Sequence, residues 1–127
     1  LNGSIILKKN FSSTLKPLIL NNIFITVDND LLIATDLNSG KIIFSYDINQ
    51  KISEFLNTKK KNVELKNLMF ANNKIFIFLK NSYVIKFNLN GTINAINKLP
   101  EKINSYPIIV DSSLVYLSRK NEIIFVN

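Results

Sequence analysis

Residues able to do acid–base, nucleophilic or metal chemistry are few and isolated in this sequence. Its 127 residues include nine Asp and Glu, but no His and no Cys. Without His and Cys, a His-based triad, a thiolate nucleophile and a His-containing transition-metal site are excluded. The carboxylates stand singly along the chain, as Asp28, Asp30, Asp36, Asp47, Glu54, Glu64, Glu101, Asp111 and Glu122. We therefore predict a protein that is not an enzyme, with no catalytic residues, no cofactor and no metal.

Two weaker patterns for ion binding lead to the same prediction. Asp28-Asn29-Asp30 resembles a fragment of a calcium loop, but it lacks the glycine and the distal bidentate Glu of that motif. With only three glycines, Gly3, Gly40 and Gly91, the sequence contains no glycine-rich phosphate loop. We expect the acidic segment to shape a turn.

The basic composition is the next candidate signal. Sixteen Lys and Arg against nine acidic residues give a net charge of +7, a balance that can indicate a nucleic-acid or anionic-membrane partner. All but Arg119 are Lys, and apart from Lys59-Lys60-Lys61 they are scattered. Arg side chains, which form bidentate hydrogen bonds to bases and phosphates, are therefore nearly absent. Because Asn and Ile are overused as well, we attribute the charge to composition and predict no nucleic-acid partner.

The overall composition predicts a folded domain without a membrane span. Hydrophobic residues make up 46% of the chain, enough for a packed core. The longest apolar stretches, such as Ile75 to Leu79, are far shorter than the roughly 20 residues of a transmembrane helix. The absence of Cys leaves the compartment open.

The elements predicted to carry these residues are short β-strands. Runs of β-branched and aromatic residues alternate with Asn, Asp, Ser and Gly. The predicted strands are residues 23–27, 31–34, 42–46, 75–79, 83–87 and 123–126. Asn29-Asp30, Asn81-Ser82 and Lys120-Asn121 are predicted hairpin turns. Because apolar residues occupy successive strand positions, both faces of each sheet are apolar, so each sheet needs neighbours on either side.

A threefold repeat connects these strands. Residues 23–38 recur as residues 75–90 with a shift of 52 positions, and a third copy spans 107–127. Between the second and third copies the shift falls to 40, from Ile75 to Val115. Repeats of roughly 40 to 50 residues made of short apolar runs are typical of β-propeller blades.

The repeat therefore predicts an all-β propeller of about three four-stranded blades. The predicted boundaries are about 16–50 for blade I, 51–62 for a linker, 63–99 for blade II and 105–127 for blade III. The most helical stretch, residues 50–66, could form one helical turn, but we predict a connection between blades because its apolar spacing does not persist.

A motif in the first repeat resembles a known family. Ala34, Asp36, Ser39, Gly40 and Phe44 follow the A-x-D-x-x-T-G-x-x-x-W pattern of pyrroloquinoline-quinone (PQQ) dehydrogenase-like propellers, with Ser for Thr and Phe for Trp. Asp and Ser can bond turn amides, Gly permits a positive φ, and the aromatic residue is expected to pack on the next blade. We expect structural duties for all five residues.

That family includes the quinoprotein dehydrogenases and the non-catalytic propeller lipoprotein of the outer-membrane barrel-assembly machinery. Similarity to the lipoprotein implies a periplasmic or outer-membrane-associated scaffold that binds other proteins through rim loops or exposed strand edges. The alternative is a segment of a PQQ-dependent quinoprotein oxidoreductase. In those enzymes a Trp platform and a pair of Cys hold the cofactor, and this chain has neither residue type.

The aromatic residues offer a third interpretation, a sugar or nucleic-acid ligand. Those on predicted strands are expected to form the packing between blades: Phe24, Phe76, Phe78, Tyr83, Phe87, Tyr116 and Phe125. Tyr46 and Tyr106 lie outside the repeated triplets and are the predicted candidates for surface recognition.

Three blades do not close a ring, because propellers carry four to eight. The chain is therefore predicted to be a partial ring of a longer propeller, or half of a ring formed by a homodimer. Residues 1–9 are predicted to be the fourth strand of a preceding blade and the start of its connection, or, in the homodimer, a strand that could complete blade III. The outer faces of the first and third blades are expected to be uncovered and apolar.

Overall fold

A computed structural model describes residues 3–5, 8–13 and 15–127, which contain eleven β-strands and one α-helix. The elements are β1 (Leu18–Leu20), β2 (Ile23–Asp28), β3 (Leu31–Asp36), β4 (Ile42–Asp47), α1 (Ile48–Leu56), β5 (Leu65–Ala71), β6 (Lys74–Leu79), β7 (Tyr83–Asn88), β8 (Ile93–Lys98), β9 (Ile108–Val110), β10 (Ser113–Leu117) and β11 (Ile123–Val126). They form three antiparallel sheets in two compact units, residues 1–48 and 49–127.

The first unit contains one sheet, blade I, in the order β1-β2-β3-β4. Its central hairpin turns through two residues, of which Asn29 has a positive φ of 54° that Asn tolerates well. Ahead of the sheet, Phe11 stacks on Phe24 with ring centroids 6.1 Å apart. The Ser12 N–H donates to Asp28 Oδ1 at 3.1 Å. The segment before blade I thus covers part of one of its faces.

The connection between β4 and β5 contains α1, a helix of nine residues, where the sequence predicts a connection that could form one helical turn. Ile48, Ile52 and Phe55 recur at helical spacing, a short amphipathic pattern that the polar residues after it obscure in a longer window. Asn57 ends the helix with a φ of 51°, and the Thr58 N–H donates to the Ser53 carbonyl at 3.0 Å. This is a Schellman cap with Asn in the left-handed position.

The second unit contains blade II, in the order β5-β6-β7-β8, and blade III, in the order β9-β10-β11. Their facing sides form one hydrophobic core with these buried residues: Met69, Phe76, Phe78, Val84, Leu99, Ile103, Leu114 and Tyr116. Partly buried Ala71, Ile109, Ile124 and Val126 pack against it. The predicted packing of one blade on the next is therefore present here, and the fold class is confirmed.

The register of the repeats differs from the sequence alignment by one residue. Blades II and III both turn through two left-handed residues in their first hairpin, Asn72-Asn73 and Asp111-Ser112. These turns are 39 positions apart (111 − 72), and the 40-residue shift predicted from the sequence is wrong. Phe78 thus corresponds to Leu117, and Ile77 to Tyr116.

The same slip affects the alignment of blades I and II. The first hairpin turns are 51 positions apart (72 − 21), whereas β3 and β7 begin 52 apart (83 − 31). The loop between β6 and β7 has three residues, one more than the loop between β2 and β3. A shift of one residue turns every side chain of a strand to the opposite face of the sheet. The sequence alignment of β2 with β6 matched equally well with this shift, because apolar residues occupy successive positions in both strands.

The predicted strand at residues 1–9 lies partly outside the described residues, namely at Leu1, Asn2, Ile6 and Leu7. Its described residues, 3–5 and 8–9, are not in a strand. Within the described part of the chain, the third sheet therefore has three strands.

Replacing Phe78 with Ala tests the core between blades II and III. Phe78 is fully buried, so we expect the free energy of unfolding to fall by about 3 to 5 kcal/mol in urea denaturation. The matched control is Phe125→Ala on β11, whose exposed ring should matter by less than about 0.5 kcal/mol. Equal losses in the two variants would contradict this assignment of the core.

Candidate protein-binding surface

The predicted motif forms a hydrogen-bonded turn between β3 and β4. Asp36 Oδ1 accepts from the backbone N–H groups of Asn38 and Ser39 at 2.9 and 2.7 Å, and from the Ser39 hydroxyl at 3.0 Å. The Gly40 N–H donates to the Asp36 carbonyl at 2.8 Å, with Gly40 at a φ of 69°. These contacts have the form of an Asx turn closed by glycine.

The hydrogen bonds also set the charge of this turn. Those from the Ser39 backbone and hydroxyl, followed by that from the Asn38 backbone, hold the pKa of Asp36 below its ordinary value of 3.8. In blade II, Asn88 takes the place of Asp36, and its side-chain amide donates to Thr92 Oγ1 at 2.9 Å. Asn90 Oδ1 accepts from the Thr92 N–H and hydroxyl at 3.1 and 2.7 Å. The blade II turn is therefore held by uncharged amide and hydroxyl groups in a different pattern of hydrogen bonds.

The other motif residues lie on the strands beside the turn. Ala34 is fully buried in β3 and pairs with Phe44 of β4. Phe44 and Tyr46 are half-buried and stack with ring centroids 4.6 Å apart and planes 12° from parallel. Tyr46, predicted as a recognition residue, is thus held against Phe44 within its own blade.

Tyr106, the second predicted recognition residue, lies between blades II and III. Its hydroxyl donates to the Leu68 carbonyl of β5, while 40% of the residue stays exposed. Burial raises the pKa of its hydroxyl above the ordinary value of 10.0. The residue therefore ties the two blades together through its polar end and leaves part of its ring at the surface.

The largest exposed apolar feature of blade III is its outer face, which we define as Ile108, Val110, Ile123 and Phe125. These side chains are exposed by 54%, 42%, 69% and 69%. Alternate residues of the same strands point the other way and pack on blade II. Blade III therefore has one covered face and one bare face.

Blade II shows what this face does when a neighbour is present. By the 39-residue shift, Ile108 corresponds to Met69 and Ile123 to Val84. Met69 and Val84 are buried in the core against blade III. The outer face of blade III is thus the equivalent of a surface that is already an interface elsewhere in the chain.

The outer strand of blade III adds backbone groups to this surface. β11 pairs with β10 alone among the described strands, so its other edge has no strand partner there. Unpaired strand edges are templates for strand addition. The outer face and the β11 edge together form the candidate protein-binding surface.

Two of the aromatic residues predicted to lie in the core do not. Phe125 is mostly exposed on the outer face and Tyr83 is exposed at the start of β7, whereas Phe76, Phe78, Phe87 and Tyr116 are buried as predicted. Phe125 follows the same strand pattern as the buried residues, so its sequence carries no sign of exposure. The expectation of uncovered apolar end faces was the signal that could have identified the outer face.

Thr35, next to the first motif residue, is a buried polar residue that the sequence did not single out. Its Oγ1 has no hydrogen-bond partner among the residues described, although the side chain is almost fully buried. Thr35 corresponds to Phe87 of blade II by the 52-residue shift of the β3 and β7 strands. A hydroxyl thus occupies a position where blade II has an apolar ring.

Within the described residues, no three His, Cys, Asp or Glu side chains come together as a group that could hold a metal. The same part of the chain contains no helix with the length and apolar character needed to span a bilayer.

Solved structures with a similar fold share little sequence with this chain. BamB from Moraxella catarrhalis has a TM-score of 0.66 and 16% identity, over 92% of this chain and 33% of BamB. The chain is built of β-propeller blades. It spans about a third of the length of that BamB.

Two further solved structures have lower TM-scores against this chain. The computationally designed Ika4 protein has a TM-score of 0.53 and 11% identity over 94% of both chains. The WD40 domain of SCAP from fission yeast has a TM-score of 0.49 and 12% identity, over 80% of this chain and 26% of that one. No protein-family profile and no curated protein matches the sequence.

Replacing Asp36 with Asn should make the chain less stable at neutral pH, because the amide oxygen is a weaker acceptor than the carboxylate. The pKa of Asp36 is lowered in the folded state, so its contribution is present above pH 3.8 and is lost as the pH falls through the lowered value. Urea unfolding of both proteins between about pH 2 and pH 7 should show the difference shrinking in acid. Ser39→Ala should have a smaller effect of the same sign. A difference independent of pH would contradict the role of the carboxylate.

Replacing Thr35 with Val should stabilise blade I by about 1 kcal/mol, because it removes a buried hydroxyl without a partner and keeps the side-chain shape. The matched control is Ser118→Ala. Ser118 Oγ is buried but accepts from the Lys120 and Glu122 N–H groups at 3.1 and 3.3 Å. Thermal or urea unfolding should show the control losing about as much stability as Thr35→Val gains. A loss in Thr35→Val would mean that the hydroxyl is satisfied in solution.

Proposed function

We propose that this chain is part of a non-catalytic, PQQ-like propeller scaffold that binds other proteins. The observation that carries the proposal is the outer face of blade III, four large apolar side chains exposed on one sheet. Contiguous apolar patches of this kind mark interaction sites in folded proteins. The carboxylates stand singly along the chain, and within the described residues no three acidic side chains form a cluster that could hold a metal.

The partner that fits the outer face is a β-sheet with an apolar surface. The interface between blades II and III supplies the pattern, because Met69 and Val84 pack there on Leu114 and Tyr116. A partner offering aliphatic and aromatic side chains at alternate strand positions would cover the outer face in the same way. A strand added to the β11 edge would extend the contact through backbone hydrogen bonds.

We further propose a periplasmic or outer-membrane-associated setting and a role in outer-membrane protein assembly. The support is the resemblance of the Ala34–Phe44 motif to the PQQ-like family, together with the likeness of the fold to BamB.

The double variant Ile123→Ser/Phe125→Ser tests the scaffold. The immobilised wild-type chain and the variant would be exposed to periplasmic extract, and the bound proteins quantified by mass spectrometry. We expect specific partners to fall at least tenfold in the variant, because the two most exposed side chains of the outer face are lost. Leu89→Ser is the matched control, since Leu89 is exposed on a turn of blade II, away from the outer face.

Equal capture by all three proteins would contradict the proposal. Binding of PQQ and calcium in an absorbance titration, with no partner captured, would favour the quinoprotein alternative.

A second copy of the chain is the simplest partner, and a homodimer is part of the proposal. Light scattering at micromolar concentration should give twice the monomer mass for the wild type and the monomer mass for Ile123→Ser/Phe125→Ser. A strictly monomeric wild type would contradict the homodimer and leave partner capture as the test of the scaffold.

A further inference from the structure

A pocket of about 330 Å³ lies at the seam between blades II and III. Its apolar wall includes Phe76 and Val84 from blade II and Leu114 from blade III. Lys86 and Lys98 contribute the charged groups. The volume falls in the range of small-molecule sites, which combine apolar walls with a few polar groups.

Lys86 is the unusual residue of this pocket. It is half-buried on β7, on the face of blade II that packs against blade III. By register, the equivalent residue is Ala34 in blade I and Phe125 in blade III. Blade II thus has a cation at a position where the other blades have an apolar side chain. Packing of the blades does not require this charge.

In the part of the chain that the structure describes, no Asp or Glu side chain pairs with the Lys86 ammonium group. Its Nζ lies over the Phe76 ring, 5.7 Å from the centroid, and no Asp or Glu lines the pocket. Neither Lys86 nor Lys98 takes part in an ion pair within the described residues. A half-buried ammonium group that lies over an aromatic ring is stabilised most by an anion that binds in the same cleft.

We propose that this seam pocket binds a small carboxylate with a short apolar chain. The carboxylate accepts from Lys86, with Lys98 adding positive potential, and the chain lies along Phe76, Val84 and Leu114. An anion without an apolar part would leave that wall exposed to water, and an apolar molecule without a charge would leave Lys86 unpaired. This inference is independent of the outer face and goes beyond the scaffold proposal.

Octanoate, acetate, 1-octanol and inorganic phosphate are the probes that separate these contributions. Calorimetric titration of the whole chain at submicellar concentrations should give saturable octanoate binding. Acetate, 1-octanol and phosphate should each bind at least tenfold more weakly. Backbone amide shifts should locate the octanoate at residues 84–86, 97–98 and 112–114, and added salt should weaken it because the charges are partly exposed.

Lys86→Met tests the charge while keeping the apolar stem of the side chain. We expect octanoate affinity to fall about tenfold or more, as for the loss of one charge-assisted hydrogen bond. Lys86→Arg should retain most of the affinity, which keeps the test valid if the Met variant unfolds. Lys74→Met is the matched control, because Lys74 is also half-buried on blade II but lies outside the pocket.

Three results would overturn the proposal. They are octanol binding as tightly as octanoate, an affinity unchanged in Lys86→Met, and amide shifts confined to the outer face of blade III. None of these results changes the expected outcome of the partner-capture experiment. A wrong pocket proposal and a wrong scaffold proposal can therefore be told apart.

Discussion

The packing of one two-sided apolar sheet on the next is the constraint on which the described structure depends. In residues 49–127, Phe78 and Met69 of blade II and Leu114 and Tyr116 of blade III bury their side chains in a single core between two sheets. A blade of this kind cannot cover both of its faces alone. The outer face of blade III has no such cover among the described residues.

Polar contacts fix how the two blades meet. The Tyr106 hydroxyl donates to the Leu68 carbonyl, the Tyr116 hydroxyl to the Glu101 carbonyl at 2.9 Å, and Lys66 Nζ to the Ile103 carbonyl. Each contact runs from a side chain to a backbone acceptor, and such contacts are directional where the apolar core is not. Burial lowers the pKa of Lys66, with the positive charges of Arg119 and Lys80 adding to the effect. The seam is therefore aligned by hydrogen bonds and stabilised by burial.

Strands β1, β5 and β8 were not among the predicted strands. The hairpin turns and strands β2, β3, β4, β6, β7 and β11 could be predicted from the sequence, because Asn, Asp and Ser mark turns while Ile and Phe mark strands. The repeat register could not, since a pattern that is apolar at every position matches equally well after a slip of one residue. The two left-handed residues of each first hairpin, Asn72-Asn73 and Asp111-Ser112, settle it. The exposure of Phe125 and the pocket at Lys86 were also beyond the sequence, because both depend on which sheet lies opposite. The turn at Asp36 could be predicted from the sequence, since all its hydrogen bonds join residues close in sequence.

The common spacing of blades II and III has a consequence for how such a chain can grow. From Asn72 to Asp111 the backbone returns to an equivalent left-handed turn, and β10 and β11 of blade III have the same register as β6 and β7 of blade II. A tandem genetic duplication of residues 72–110 would therefore insert one whole blade and leave each flanking strand with its original hydrogen-bonding sense. A chain that gains a blade in this way needs no new loop sequence. The constant spacing therefore suits growth of the protein by gene duplication.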